Sequence, residues 1–265
     1  MRILQILLVT FVFNASVLAE LANLPAKAST DRSETRHLVL DNGLRVILLS
    51  DPDLNKSSAS LVAGVGSYND PEDRAGLAHF LEHMLFLGSK KFPGDTDYSR
   101  YLKSNGGYSN AYTSGDHTNY HFEISHQAFD GALDRFSQFF VAPLFNPDFT
   151  AREMNAVDSE FEKNLQSDLW RTQEIWRTMV REDHPERHFS IGNLKTLEGI
   201  TRDEFLGFYK QYYSANQMAL AMTSNHSLDK MEGWAKVYFN AIENRQLKAI
   251  DYSDQLIDPT LAPGL

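Results

Sequence analysis

Gly76-Leu77-Ala78-His79-Phe80-Leu81-Glu82-His83-Met84-Leu85-Phe86-Leu87-Gly88 is the stretch around which the rest of the chain can be read. It contains no proline and carries apolar residues on every turn, the pattern of a buried helix. Its polar chemistry is confined to His79, Glu82 and His83. Positions i, i+3 and i+4 of a helix share one face, so both imidazoles and the carboxylate point the same way. A lone histidine in an apolar helix is ordinarily a core residue with a hydrogen-bond partner. Two of them one turn apart, with a glutamate between, are costly to bury unless something pairs all three. A metal ion would do so, because two neutral imidazoles can reach one zinc at about 2.0–2.1 Å each. The order H-x-x-E-H is a zinc-binding pattern, and Glu82 lies where an activated water needs a base.

On the amino-terminal side of this helix the chain reads as strands. His37-Leu38-Val39-Leu40, the turn Asp41-Asn42-Gly43 and Leu44-Arg45-Val46-Ile47-Leu48-Leu49 spell a hairpin. Residues 58–65 are a third strand, and Pro71-Glu72-Asp73 sets acidic groups ahead of the helix, as helix starts favour. On the carboxy-terminal side a helix is predicted over 97–104, stopped by Gly106-Gly107, then strands over 108–112 and 118–125. Residues 126–141 repeat apolar side chains at helical spacing, and past Pro143 and Pro147 one helix is predicted over 149–181. Residues 193–199 read as loop, 202–213 as helix, 218–223 as strand and 228–244 as helix. With no steady βαβ alternation, the fold class is α+β, a mainly antiparallel β-sheet packed against helices.

Composition bounds the function. With 265 residues, 42% of them apolar and 23% charged, the chain is long enough for a sizeable core. A net charge of -10 argues against a nucleic-acid binder, since no basic stripe is offered to phosphates. There is no cysteine, so disulfides play no part. Arg2, the apolar run 3–13 and the small residues Ala15, Ser16 and Ala19 have the order of a secretory signal, with cleavage expected after Val17-Leu18-Ala19. Ala26-Lys27-Ala28 is a second candidate for cleavage, farther from the apolar run. The run is short for a lasting membrane span. The chain is therefore read as a signal over 1–19, a linker over 20–35, one domain over 36–250 and a tail over 251–265, exported to the periplasm or secreted.

A catalytic zinc takes three protein ligands and keeps one position open. The helix predicted over 149–181 offers Glu153, Asp158, Glu160, Glu162 and Asp168. Glu153 and Glu160 lie two turns apart on one face beside Ala156 and Val157, whereas Glu162 pairs with Lys163. Spacing leaves both Glu153 and Glu160 open as the third ligand. Trp170 and Trp176 read as core contacts, and His184 and His188, in a polar loop around Pro185, as surface residues.

Four blocks in order resemble the amino-terminal domain of the pitrilysin and insulin-degrading enzyme family, the M16 metallopeptidases or inverzincins. They are the stretch from Gly76 to Gly88, Ser109-Asn110-Ala111-Tyr112-Thr113-Ser114-Gly115, His117-Thr118-Asn119-Tyr120, and Asn155-Ala156-Val157-Asp158-Ser159-Glu160. Phe161-Glu162-Lys163-Asn164 extends the last, and the likeness runs from residue 34 to residue 244. The resemblance implies a pitrilysin/insulysin-like metallohydrolase domain with one zinc ion per chain, held by His79, His83 and Glu160. It implies Glu82 as general base and Glu153 as a supporting carboxylate behind the ligands. It also implies that the strand bearing Asn110, Ala111 and Tyr112 lies at the sheet edge and takes a peptide substrate as an added strand. The implied activity is zinc metalloendopeptidase action on small or unfolded peptides. Members of the family are much longer, and a second half supplies further substrate-contacting residues. By that likeness the chain is expected to be incomplete without further M16 domains, as a fragment or truncated product; the alternatives are a subunit of a two-chain assembly or a non-catalytic zinc-containing peptide-binding module. Neither a nucleic acid nor a lasting membrane span is expected among its partners.

Overall fold

Strict alternation of buried and accessible residues along three strands sets the frame of the molecule. The computed structural model describes residues 27–187, 189–252 and 256. The expected signal over 1–19, the first part of the linker over 20–35, His188 and most of the tail over 251–265 lie outside the described residues. The chain divides into Met1–Arg32 and Ser33–Leu265, and the second unit holds the sheet and its helices. Its six strands are β1 (Glu34–Val39), β2 (Arg45–Ser50), β3 (Ser57–Ala63), β4 (Tyr108–Thr113), β5 (Thr118–Ile124) and β6 (Met218–Ser224). They form one sheet in the order β1-β2-β6-β3-β5-β4. Every neighbouring pair is antiparallel except β2 and β6, which run parallel. The mainly antiparallel α+β class is what the sequence predicts.

Along β3, β5 and β6 every second residue is buried. Leu61 stands between Tyr120 and Leu220 on the core face, while its neighbour Val62 stands between Asn119 and Ala219 on the accessible one. A slip of one residue would exchange the two faces, so burial fixes the register. The helices are α1 (Leu77–Leu85), α2 (Asp97–Ser104), α3 (Phe129–Val141), α4 (Pro147–Asn164), α5 (Asp168–Arg177), α6 (Leu194–Leu197), α7 (Arg202–Tyr212) and α8 (Leu228–Phe239). Phe80, Met84, Phe136, Phe140, Phe205 and Phe239 from four of them join the sheet residues in one buried cluster. Among the described residues no helix is long and apolar enough to cross a membrane.

Several local expectations are corrected. The single helix predicted over 149–181 is two, because the chain turns extended at Ser167 (φ -86°, ψ 124°) and Asp168 opens a new first turn. The loop predicted over 193–199 contains α6, whose start is capped by Asn193, its side chain accepting from the Lys195 and Thr196 N–H groups. His184 is not a surface residue: it is buried, its Nδ1 accepts the Glu186 N–H at 3.0 Å, and its ring meets the edge of Tyr68. Strand β1 begins at Glu34. Tyr252 packs on Tyr68 and donates to Asn69 Oδ1 at 3.1 Å.

Candidate metal centre

The site grows from the first turn of α1. Gly76 adopts φ +91° there, a left-handed conformation open to a residue without a Cβ. Its N–H donates to Asp70 Oδ2 and that of Ala78 to Asp70 Oδ1, both at 2.7 Å. One carboxylate thereby satisfies two of the N–H groups that a helix start leaves free, where negative charge is also favoured. Burial pushes the Asp70 carboxyl up to about 7, and these two bonds pull it back. The carboxylate at the helix start is therefore Asp70, upstream of the Pro71-Glu72-Asp73 segment expected to supply it.

The helix brings the His79 and His83 rings edge to face, 4.7 Å between centroids. Nδ1 of His79 lies 2.8 Å from the Ile191 carbonyl, and Nδ1 of His83 lies 2.8 Å from Glu153 Oε1. A carbonyl or an ionised carboxylate can only accept, so each Nδ1 carries the proton and each neutral ring presents a lone pair at Nε2. The two Nε2 atoms are 3.2 Å apart, and Glu160 Oε2 stands 3.5 Å from His79 Nε2 and 3.8 Å from His83 Nε2. With both rings neutral, three lone-pair atoms converge there, an arrangement that a cation satisfies. Two imidazoles and one carboxylate are a donor set that suits zinc. Among the described residues, His79, His83 and Glu160 are the group of such side chains whose ligand atoms lie within 4.8 Å of one another.

Helix α4 supplies both glutamates that sequence spacing leaves open, and the fold separates them. Glu153 meets the Nδ1 side of His83 and is largely shielded, its side chain 17% exposed. Glu160 meets the Nε2 side of both rings and is 49% exposed. Burial and the charge of His83 hold His79 below the usual imidazole range. Burial also opposes charge on His83, but the Glu153 hydrogen bond and the charges of Glu160 and Glu82 outweigh it, so His83 is raised.

Glu82 is buried beside the rings, and Thr113 Oγ1 at the end of β4 donates to its Oε2 at 2.6 Å. Burial pushes the carboxyl up to about 7, with Thr113 and His83 pulling it down and Glu160 adding to the rise. A carboxyl in that range can both accept and release a proton near neutral pH.

These residues line a cleft of about 470 Å³, walled on one side by Asn110, Ala111 and Tyr112 of β4. Among the described residues β4 pairs only with β5, so it is an edge strand, as expected. A second hollow of about 620 Å³ adjoins the cleft, sharing Asn164, Trp170 and Ile191 and lined by Phe161, Leu165 and Phe189. Trp170 does rest against the core, but it also walls both hollows, which its reading as a core contact does not include. Trp176 is half-buried. Sequence reasoning missed Asp70, Thr113 and the Ile191 carbonyl. Thr113 lies inside one of the four family-like blocks, whereas no pattern marks the other two.

Residues 45–183 match the family model described as Insulinase (Peptidase family M16), and residues 199–263 match one described as Peptidase M16 inactive domain. The chain is 48% identical over 225 residues to insulin-degrading enzyme-like 2 of Arabidopsis thaliana, covering 82% of this chain and 23% of that protein. It is 44% identical over 248 residues to insulin-degrading enzyme of Homo sapiens, covering 91% of this chain and 24% of that one. The crystal structure of pitrilysin superposes with a TM-score of 0.85 at 34% identity, over 89% of this chain and 26% of its own. The chain spans about a quarter of the length of the curated relatives it matches.

Proposed function

The chain belongs to the insulinase family of peptidases, family M16, and from that premise we propose that it is a zinc-dependent metalloendopeptidase domain for small or unfolded peptides. His79, His83 and Glu160 would hold the zinc ion. The observation that carries this reading is the convergence of both Nε2 atoms and Glu160 Oε2 while each Nδ1 is engaged elsewhere. When bound, the ion supplies a Lewis acid that polarises a peptide carbonyl and acidifies a water. Thr113 donates to Oε2 of Glu82 and orients the carboxylate, which would take a proton from the attacking water and pass it to the leaving amine. Glu153 and the Ile191 carbonyl hold the two rings in the tautomer that metal binding needs. The edge of β4 offers backbone groups to an extended peptide along Asn110, Ala111 and Tyr112.

The test is Glu82→Gln. The variant should bind zinc as the parent does and lose hydrolysis of a fluorogenic peptide; near-parental turnover would overturn the base assignment. The assay is run with the chain alone and with an added carboxy-terminal half, because the chain spans only about a quarter of its relatives' length. The edge of β4 beside the cleft also suits a second reading, a zinc-containing peptide-binding module or one subunit of a two-chain assembly. Bound zinc without turnover in either arm would support the module, and turnover only with the added half would support the assembly. We also propose export, on the signal-like residues 1–19. A mature protein beginning at Glu20 in the exported fraction is the expected result, and an intact amino terminus there would refute cleavage.

A further inference from the structure

The two histidines are oriented by different means. His83 donates its Nδ1–H to a side chain, that of Glu153, whereas His79 donates to the backbone carbonyl of Ile191. That carbonyl is only as well placed as the segment around it. Two contacts hold this segment, one on each helix of the site.

The first is a close approach of two backbones. Gly192 (φ +84°) lies against Gly76 (φ +91°), three residues ahead of His79. A Cβ on Gly76 would stand 2.2 Å from Gly192 Cα, and one on Gly192 would stand 2.9 Å from Leu197 Cδ1 and 3.1 Å from Gly76 Cα. Gly106 and Gly199 also have positive φ, but a Cβ there would meet nothing within 4 Å, so only their turns require glycine. At positions 76 and 192 both the backbone conformation and the contact require it. The second contact lies two residues on, where the Leu194 N–H donates to Asp158 Oδ1 at 2.9 Å. Asp158 stands on α4 between Glu153 and Glu160. Ile191 is itself buried, and Asn193 caps α6 directly after it.

We propose that residues 191–194 form a strap tying α1 to α4 and holding the Ile191 carbonyl against His79, with Gly192 and Asp158 as its positioning residues. The proposal rests on the zinc-site reading and deepens it: partners behind a ligand commonly alter metal affinity by about 10–100-fold. The strap adds a second tie between the two ligand-bearing helices, beside the direct His83–Glu153 bond.

The experiment has two readouts on the full chain. Zinc affinity is measured by competition with a chromophoric chelator. The His79 tautomer is read in the zinc-free protein from long-range ¹H–¹⁵N spectra of histidine-labelled chain, assigned by the signal missing from His79→Asn. Gly192→Ala and Asp158→Ala should each weaken zinc binding by about tenfold or more and move His79 away from a single Nδ1–H tautomer. Asp158→Asn retains an Oδ1 acceptor and should match the parent in both readouts. Should Gly192→Ala fail to fold, the Asp158 pair carries the comparison. Parental affinity and tautomer in Asp158→Ala, or an Asp158→Asn as weak as Asp158→Ala, would overturn the strap. A parent that binds no zinc would instead sink the metal reading, and the tautomer comparison would still decide whether the strap orients His79.

Discussion

Replacing Glu153 and Glu160 one at a time should separate a residue that supports the zinc site from one that completes it. Glu153 accepts from His83 Nδ1 at 2.8 Å, with side chains 17% and 16% exposed, so little water competes. A hydrogen bond to a charged group contributes about 1.5–3 kcal/mol, against about 0.5–1.5 for a neutral pair. Glu153→Gln keeps the acceptor and loses the charge, a difference of about 1–1.5 kcal/mol and thus close to tenfold in zinc affinity. Glu160→Gln removes the charged oxygen that faces both Nε2 atoms, leaving two ligands where a stable site needs three. Its loss should exceed that of Glu153→Gln by at least about tenfold. Glu160 is 49% exposed, so the zinc-free Glu160→Gln protein should stay within about 0.5 kcal/mol of the parent. Denaturant unfolding in zinc and in chelator reads both effects. Binding to the folded state alone adds about 4.1 kcal/mol at a thousandfold excess over Kd, so a tenfold weaker site narrows the gap by about 1.4 kcal/mol. An unchanged gap in Glu160→Gln, or a larger loss in Glu153→Gln, would refute the division of roles.

Thr113→Val keeps the shape of the side chain and leaves buried Glu82 without its donor. The zinc-free protein should lose about 1–3 kcal/mol in denaturant unfolding, and an unchanged midpoint would count against this bond. Burial lifts Asp70 to about 7 from an ordinary 3.8, so between those values the folded chain keeps a proton that the unfolded chain has released. Its contribution to stability therefore falls as pH rises through that window. Accordingly, the stability of the zinc-free parent relative to Asp70→Asn should be greater at pH 5 than at pH 8; a difference independent of pH would contradict it. Leu61→Ala, in the centre of the core face, should cost about 2–5 kcal/mol by the same unfolding measurement.

Much of this protein is local and therefore written in short stretches of sequence. Helical spacing puts His79, Glu82 and His83 on one face whatever surrounds them, and period-two alternation tells β3, β5 and β6 which side to bury. Ser167 and Asp168 mark the break between α4 and α5 locally, but no proline or glycine interrupts 149–181, so the segment reads as one continuous helix. The burial of His184 carries no such mark, because it depends on Tyr68 arriving from another part of the chain.

The same limit divides the site itself. Spacing alone narrows the third ligand to Glu153 or Glu160, since two positions two turns apart on one face are equivalent until another helix lies across them. Tertiary packing breaks that equivalence by setting Glu153 on the Nδ1 side of His83 and Glu160 on the Nε2 side. It also delivers the Ile191 carbonyl to His79 across 112 residues, Glu153 to His83 across 70, and Thr113 to Glu82 across 31. A residue's own periodicity states which way it faces along its segment. Which distant atom waits there follows only once the sheet has formed and α4 has come to rest on α1.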